Sequence, residues 1–240
     1  MDKKSLLTLF KKEVYYNYLI SPLGYIFAAL FSVISIWLFI QDLFLINQAS
    51  LSPLFSLFPF LLLFFLPAIT MNLFAEEKKS KTWEILLTLP TGEKEIVLSK
   101  FLSALVFAIF SMLMTIPLVV VVGILGTPDW GTIISSYLGV ILLIACYISL
   151  GIFFSSLTKN PIVSFLGSIS FLLVNFFLGQ ENTLSRLPVF LAKIISYLGL
   201  TFHYNSFTQG RIPIYSLVFF VSWIFIFLWL TIVSLKSRDY

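Results

Sequence analysis

Few residues in this sequence are placed to do chemistry. The chain has one histidine, His203, and one cysteine, Cys146, in 240 positions. A metal centre or a general acid–base site needs several such groups converging, and neither H-E-x-x-H nor G-x-S-x-G occurs. His203 stands beside Tyr204 and Asn205 and reads as a packed or solvated interfacial residue. Cys146 lies among apolar neighbours, where a thiol stays unactivated, so it reads as a small packing residue. With no second cysteine it has no intrachain disulfide partner, which excludes a disulfide scaffold. Gly126 and Gly131 have the spacing of a phosphate-binding loop, but Thr132 follows where that loop requires lysine. No catalytic residue, cofactor or metal site is expected. Any use of ATP must come from another subunit.

The rest of the chain explains this poverty. Hydrophobic residues make up 59% and charged ones 11%, with 27 phenylalanines, whereas a soluble domain carries roughly 25% charged residues. Mean hydropathy is +1.02. Too little polar surface remains to face water all round, and disorder is excluded by the same abundance of apolar residues. Six apolar runs, at 22–46, 54–75, 101–125, 133–156, 161–179 and 213–235, are each long enough to cross ~30 Å of hydrocarbon at about 20 residues. Lipid requires every backbone polar group to be paired internally, so the runs are predicted to be helices, and no alternating β-barrel segments appear. The first run is too long and too late to read as a cleaved signal peptide.

Charge placement predicts orientation. With the N-terminus inside, the inner segments hold Lys3, Lys4, Lys11, Lys12, Lys78, Lys79, Lys81, Lys94, Lys100, Lys159, Lys236 and Arg238. The outer segments hold only Arg186, Lys193 and Arg211. This positive-inside bias places both termini in the cytoplasm. No basic stripe with stacking aromatics occurs, so no nucleic acid is expected as a partner. Apart from Asp42 the span interiors lack ionisable residues, which argues against a self-powered secondary transporter.

Function must therefore be read from three non-spanning pieces, residues 1–20, 76–100 and 180–212. Residues 3–18 form a basic amphipathic helix, with Leu6, Leu7, Phe10, Val14 and Tyr18 on one side and Lys4, Thr8, Lys11 and Lys12 on the other; such a helix lies in the headgroup region. Residues 184–202 are apolar but broken by Arg186, Pro188 and Lys193, too broken to span and too apolar for a free loop, and suit a surface-lying amphipathic segment. The second piece is an elbow. A charged end to the second span is followed by a short amphipathic helix near 82–89, with Trp83, Leu86, Leu87 and Pro90 on one side and Glu84 and Thr88 opposite. Pro90-Thr91-Gly92 stops it. An apolar knuckle ringed by charge suits docking into a groove of a soluble partner, or anchoring at the membrane surface through Trp83. Within the spans, Gly24, Ala28 and Ser32, and Ser164 and Ser168, recur at four-residue spacing, as close helix packing or a dimer seam would require. Phe171, Phe176 and Phe177 are a candidate hydrophobic gate.

The elbow pattern of acidic and basic residues, then Thr82-x-Glu84-x-Leu86-Leu87-x-x-Pro90, then Lys100-Phe101-Leu102, resembles the type-2 class of ABC transporter permeases, and most of all the short permeases of the gliding-motility type. Ser21-Pro22-Leu23-Gly24-Tyr25, Phe65 to Met71, Ser136-Tyr137-Leu138-Gly139, Gly151 to Thr158 and Phe207 to Ile212 extend the likeness over essentially the whole chain. Lys81 and Ser99 stand where the family usually has glycine. The residues themselves predict an all-α integral membrane protein, one domain over residues 1–240 with six transmembrane helices and an N-terminal interfacial amphipathic helix; the resemblance implies that the elbow is a cytoplasmic coupling helix and that the extracytoplasmic segment 180–212 dips back into the outer leaflet as a re-entrant piece. It further implies that Glu76, Glu77, Thr82, Trp83, Glu84, Leu86, Leu87 and Pro90 engage a cytoplasmic ABC ATPase subunit. A second permease copy or a similar permease completes the pathway in the bacterial inner membrane, with an auxiliary membrane or periplasmic protein as a further partner. The expected function is ATP-driven export of a lipid-like or amphiphilic substrate, or transmission of force. A non-transporting scaffold and an ATP-independent channel are the competing expectations.

Overall fold

Prolines and short polar side chains mark the helix boundaries. The computed structural model describes residues 3–46, 50–82, 92–126, 128–180, 188, 190 and 196–236. The chain opens with α1 (Lys3–Val14), which passes into a π-helical turn, Tyr15–Leu19. Next come α2 (Pro22–Ile46), α3 (Ser52–Thr70), α4 (Asn72–Lys79), α5 (Glu93–Leu113), α6 (Ile116–Leu125) and α7 (Trp130–Leu157). The chain ends with α8 (Pro161–Leu178), α9 (Leu200–Thr208) and α10 (Ile214–Lys236).

The local causes are plain. Pro117 has no N–H to give the Leu113 carbonyl, and the helix is interrupted there, between α5 and α6. Asp129 caps α7, its carboxylate accepting from Gly131 N at 3.0 Å and from the Thr132 hydroxyl at 2.6 Å. Those bonds, the Thr132 hydroxyl first, hold the Asp129 carboxyl below its ordinary pKa. The glycine–threonine spacing that resembled a phosphate loop thus belongs to a helix N-cap. Asn160 caps α8 in the same way, with Pro161 in the first turn.

Six stretches are long and apolar enough to cross a membrane: Gly24–Gln41, Ser52–Lys79, Glu93–Leu125, Trp130–Leu157, Pro161–Leu178 and Ile214–Lys236. They correspond to the six apolar runs, and no strand occurs among the described residues. The protein is an all-α, multi-pass membrane protein. The second and third stretches exceed the expected spans because charged residues 76–79 and 93–100 continue the helices beyond the apolar part.

The core gathers around α7, which packs against α10, α3, α9, α8, α5 and α4. Large apolar side chains on α10, such as Phe225 and Trp229, and on α2, such as Val33 and Trp37, are exposed, as lipid-facing residues are. Small residues let α7 accept so many neighbours. A Cβ on Gly151 would lie 2.1 Å from the Thr70 hydroxyl oxygen, and one on Gly139 would lie 2.6 Å from Phe207. The small-residue faces are likewise used within the chain. Gly24 abuts the Tyr18 backbone, Ala28 packs against the core, and Ser164 and Ser168 are buried.

At the end opposite the elbow, α9 lies against α3, α7, α8 and α10. The Tyr204 hydroxyl donates to the Phe55 carbonyl at 2.7 Å, and the Asn175 side chain bonds both the Leu198 carbonyl and Leu200 N. His203 is packed rather than solvated. Its Nε2 donates to the Tyr197 carbonyl at 3.0 Å, leaving Nδ1 to accept from the Ser216 hydroxyl at 2.9 Å, and its ring stacks on Phe219. Burial holds its pKa below the ordinary histidine value. Cys146 is fully buried, its thiol against the Phe220 carbonyl. The break in the 180–212 piece, Arg186 and Lys193, lies outside the described residues.

Gly151→Val should overpack the α3–α7 crossing and cost about 1–3 kcal/mol. Thermal unfolding in detergent should show a lowered Tm, and Thr70→Ala in the same chain should restore part of it.

Candidate functional site at the base of the elbow

The elbow begins with a helix break. The Thr70 hydroxyl donates back to the Leu66 carbonyl at 2.9 Å, a competition that bends helices, and α3 ends there. Helix α4 then starts, and Ser155 of α7 meets its first turn. Its Oγ accepts from Phe74 N at 3.0 Å and Ala75 N at 3.1 Å, and donates to the Met71 carbonyl at 2.9 Å. One hydroxyl therefore joins the end of α3 to the start of α4. A turn later Lys78 Nζ donates to the Ser156 carbonyl, placing a cation at the carboxyl end of α7 where the helix dipole favours it.

The other side of α4 meets a buried ion cluster. Lys100 of α5 is 1% exposed. Its Nζ lies 2.7 Å from Glu77 Oε1 of α4 and 3.1 Å from Glu13 Oε1 of α1. Asn17 of the π turn donates to the second Glu13 oxygen at 2.5 Å, and the ammonium sits 5.2 Å from the centre of the Phe74 ring. A lysine buried this deeply needs such partners, because an isolated charge in an apolar setting is prohibitively unfavourable. Three elements far apart in sequence, α1, α4 and α5, are thereby locked at one atom. Beside the cluster a cavity of about 380 Å³ opens between the π turn, α3 and α4. Tyr18 forms part of its wall, its ring stacked on Phe107 at 4.5 Å. Burial, helped by the nearby Glu13 carboxylate, holds the Tyr18 hydroxyl protonated well above its ordinary range.

Past α4 the chain turns through Lys81, whose φ is +59°. This left-handed conformation is the one for which glycine is favoured after a helix end, so the departure from the family's glycine falls where it has a physical cost. Ser80 Oγ donates to the Glu76 carbonyl and Thr82 Oγ1 to the Glu77 carbonyl, which closes the helix.

The expected coupling residues divide accordingly. Glu76 and Thr82 are exposed at the base. Glu77 is turned inward onto Lys100. Trp83, Glu84, Leu86, Leu87 and Pro90 lie outside the described residues. The three gate phenylalanines are not gathered in one cluster. Phe171 packs towards Phe154, Trp223 and Phe227, whereas Phe176 meets Phe60 and Phe177. Sequence reasoning missed Glu13, Lys100 and Ser155. One signal was available. Glu13 is the lone acid of a basic helix, three residues after Phe10 and seven after Leu6, so it falls on the apolar face.

A family model described as ABC-2 family transporter protein matches residues 32–240, and the chain belongs to that family. It is a membrane permease component of an ABC transporter, a class that associates with an ATPase subunit. No curated protein matches the chain.

Lys100→Met strands the buried Glu13 carboxylate and the half-buried Glu77 and should cost about 3–5 kcal/mol. Thermal unfolding should register the loss, and trypsin should cut faster at Lys11 and Lys12 as α1 comes free. Adding Glu13→Gln and Glu77→Gln to the same chain should recover most of it. Lys81→Gly should have the opposite sign, with a gain of about 1 kcal/mol in the same assay.

Proposed function

We propose that this ABC-2 permease is one of two membrane subunits, paired with a second copy or a similar permease, of an ATP-driven exporter of amphiphilic molecules. The elbow end faces the cytoplasm, as the excess of Lys and Arg on that side supports. A cytoplasmic ATPase subunit grips the elbow through Trp83, Glu84, Leu86, Leu87 and Pro90. The observation that carries this reading is the way α4 is tied. Ser155 and Lys78 join it to α7, while Glu77 joins it through Lys100 to α1 and α5. A pull on the elbow therefore acts at once on the central helix, on a second span and on the N-terminal helix. Closure of an ATPase pair on ATP binding would tilt these elements together, and hydrolysis would release them.

The partly exposed rings of Phe171 and Phe177, 41% and 55%, would contribute to a gate only where another membrane subunit covers them. A partner of the gliding-motility type, an auxiliary membrane or periplasmic protein receiving force, is compatible with the same tying of α4.

Leu86→Asp should abolish co-purification with a co-expressed ABC ATPase subunit that binds the unaltered chain, because an unpaired carboxylate at an apolar contact costs several kcal/mol, while membrane insertion stays intact. Trp83→Ala and Glu84→Ala should weaken the association. Unchanged pull-down in Leu86→Asp would remove the elbow from the interface. Conductance in liposomes by the chain alone, without ATP, would favour a channel instead.

A further inference from the structure

One segment of the bundle is held far less firmly than the rest. Helix α6, ten residues long, buries only Leu118 and Val122, while Ile116, Val120, Val121, Ile124 and Leu125 are exposed. Exposure alone would suit a lipid-facing helix, and α10 also exposes large apolar side chains. But α10 packs firmly against α7, whereas among the described residues no other helix packs along α6. A segment with so few buried apolar contacts is displaced at lower cost than the core.

The base of α6 is a joint. Pro117 withholds an N–H from the Leu113 carbonyl, and the regular helix ladder gives way to tighter turns beside it. Met114 N donates to the Ser111 carbonyl at 3.3 Å, Thr115 N to that of Met112 at 2.9 Å, and Leu118 N to that of Thr115 at 3.0 Å. Such a step inside a long helix is where it bends most easily. From Phe101 to Leu113 the chain rises about 18 Å through ~30 Å of hydrocarbon, so the joint lies in the half remote from the elbow. Beyond α6, residues 126–129 lead to α7, and a linker of that length reaches about 13 Å when extended. The tether therefore permits a swing of several ångströms and no more.

A polar contact closes the joint. The Thr115 hydroxyl donates to the Met112 carbonyl at 2.7 Å, so the Tyr137 hydroxyl of α7, 3.1 Å away, is the donor to Thr115. The Tyr137 ring in turn stands edge-on to Phe55 of α3. Phe55 and Val122 are walls of a cavity of about 300 Å³ between α6 and the starts of α3 and α7, lined also by Ser52, Asp129 and Thr132. The polar groups there are already matched, Asp129 by Gly131 and Thr132 and the Ser52 hydroxyl by Ser50. Nothing in the cavity calls for a ligand; it offers room behind a loosely held wall.

We propose that α6 is a hinged strap, pivoting at Thr115–Pro117 and latched shut by the Tyr137–Thr115 hydrogen bond. On release it swings relative to α5 and α7 and uncovers the cavity behind Val122. The inference rests on how α6 is held and is independent of the ATPase partner and the cargo.

The test is pulsed electron paramagnetic resonance on the full chain in lipid nanodiscs. One spin label sits at Lys159→Cys, just past α7, and the other at Ile124→Cys of α6 or, as a control, at Phe110→Cys of α5; all three positions are exposed, and the native Cys146 is buried. The Ile124 pair should show a second, displaced distance, and the Phe110 pair one narrow distance. Tyr137→Phe keeps the ring against Phe55 but removes the latch. It should raise the displaced population at Ile124 about fivefold, as loss of one hydrogen bond implies, with Phe110 unmoved. Pro117→Ala returns an N–H to the Leu113 carbonyl and should suppress that population. A single narrow distance at Ile124 that Tyr137→Phe leaves unchanged would overturn the strap. Equal broadening at Ile124 and Phe110 would overturn it too, as general loosening, and a displaced population indifferent to Pro117→Ala would overturn the pivot.

Discussion

The structure depends on a single buried lysine. Lys100 stands at the mouth of a transmembrane helix where its charge has no access to water, and it is tolerated there only because Glu13 and Glu77 come to it from two other elements. The constraint works in both directions. The N-terminal helix cannot leave the bundle without stranding Lys100, and the elbow cannot swing independently without doing the same. Ion pairs of this kind contribute little net stability compared with apolar packing, but they fix one arrangement against its neighbours, because every alternative leaves a charge buried and unpaired. In a protein whose surface is mostly lipid-facing, where apolar contacts discriminate poorly between helix positions, that specificity is the more valuable contribution.

Ser155 plays a matching part on the opposite side of α4. A helix break inside or near a membrane leaves backbone groups without partners, and a neighbouring hydroxyl is one of the few ways to satisfy them. By taking two N–H groups and donating to one carbonyl, Ser155 makes the α3–α4 break a stable joint rather than a defect. Gly151, one turn earlier on α7, lets Thr70 approach closely enough for that joint to form. Bend, cap and close approach are thus one device, built from the 151–155 segment of α7 and the 70–75 segment before the elbow.

How much of this was legible in the sequence follows from what each signal measures. The six spans were, because twenty apolar residues in a row have few other outcomes. The end of the N-terminal helix was less so; it changes to a π-helical turn at Tyr15 where amphipathic spacing predicted continuous helix to Tyr18. Lys100 was counted as a topology charge, and that counting assumes that a lysine beside a span faces water. Burial instead depends on which residues other helices bring to it, a long-range fact. Ser155 looked like one of many small polar residues in a helix for the same reason. The phenylalanines fared differently. With so many in the chain, closeness in sequence on α8 carried little information about spatial grouping, and the ring contacts send Phe171 and Phe176 to different neighbours.

Because Lys100 holds both, α1 and α4 should move as one body. Spin labels at Lys11→Cys and Lys79→Cys, both exposed positions, report their separation directly, with the native Cys146 buried and out of reach. Pulsed electron paramagnetic resonance on the complex with its ATPase subunit should give the same distance with and without ATP, and a broadened distribution once Lys100 is replaced by methionine. A separation that shifts by several ångströms on ATP addition in the chain with Lys100 intact would contradict the account.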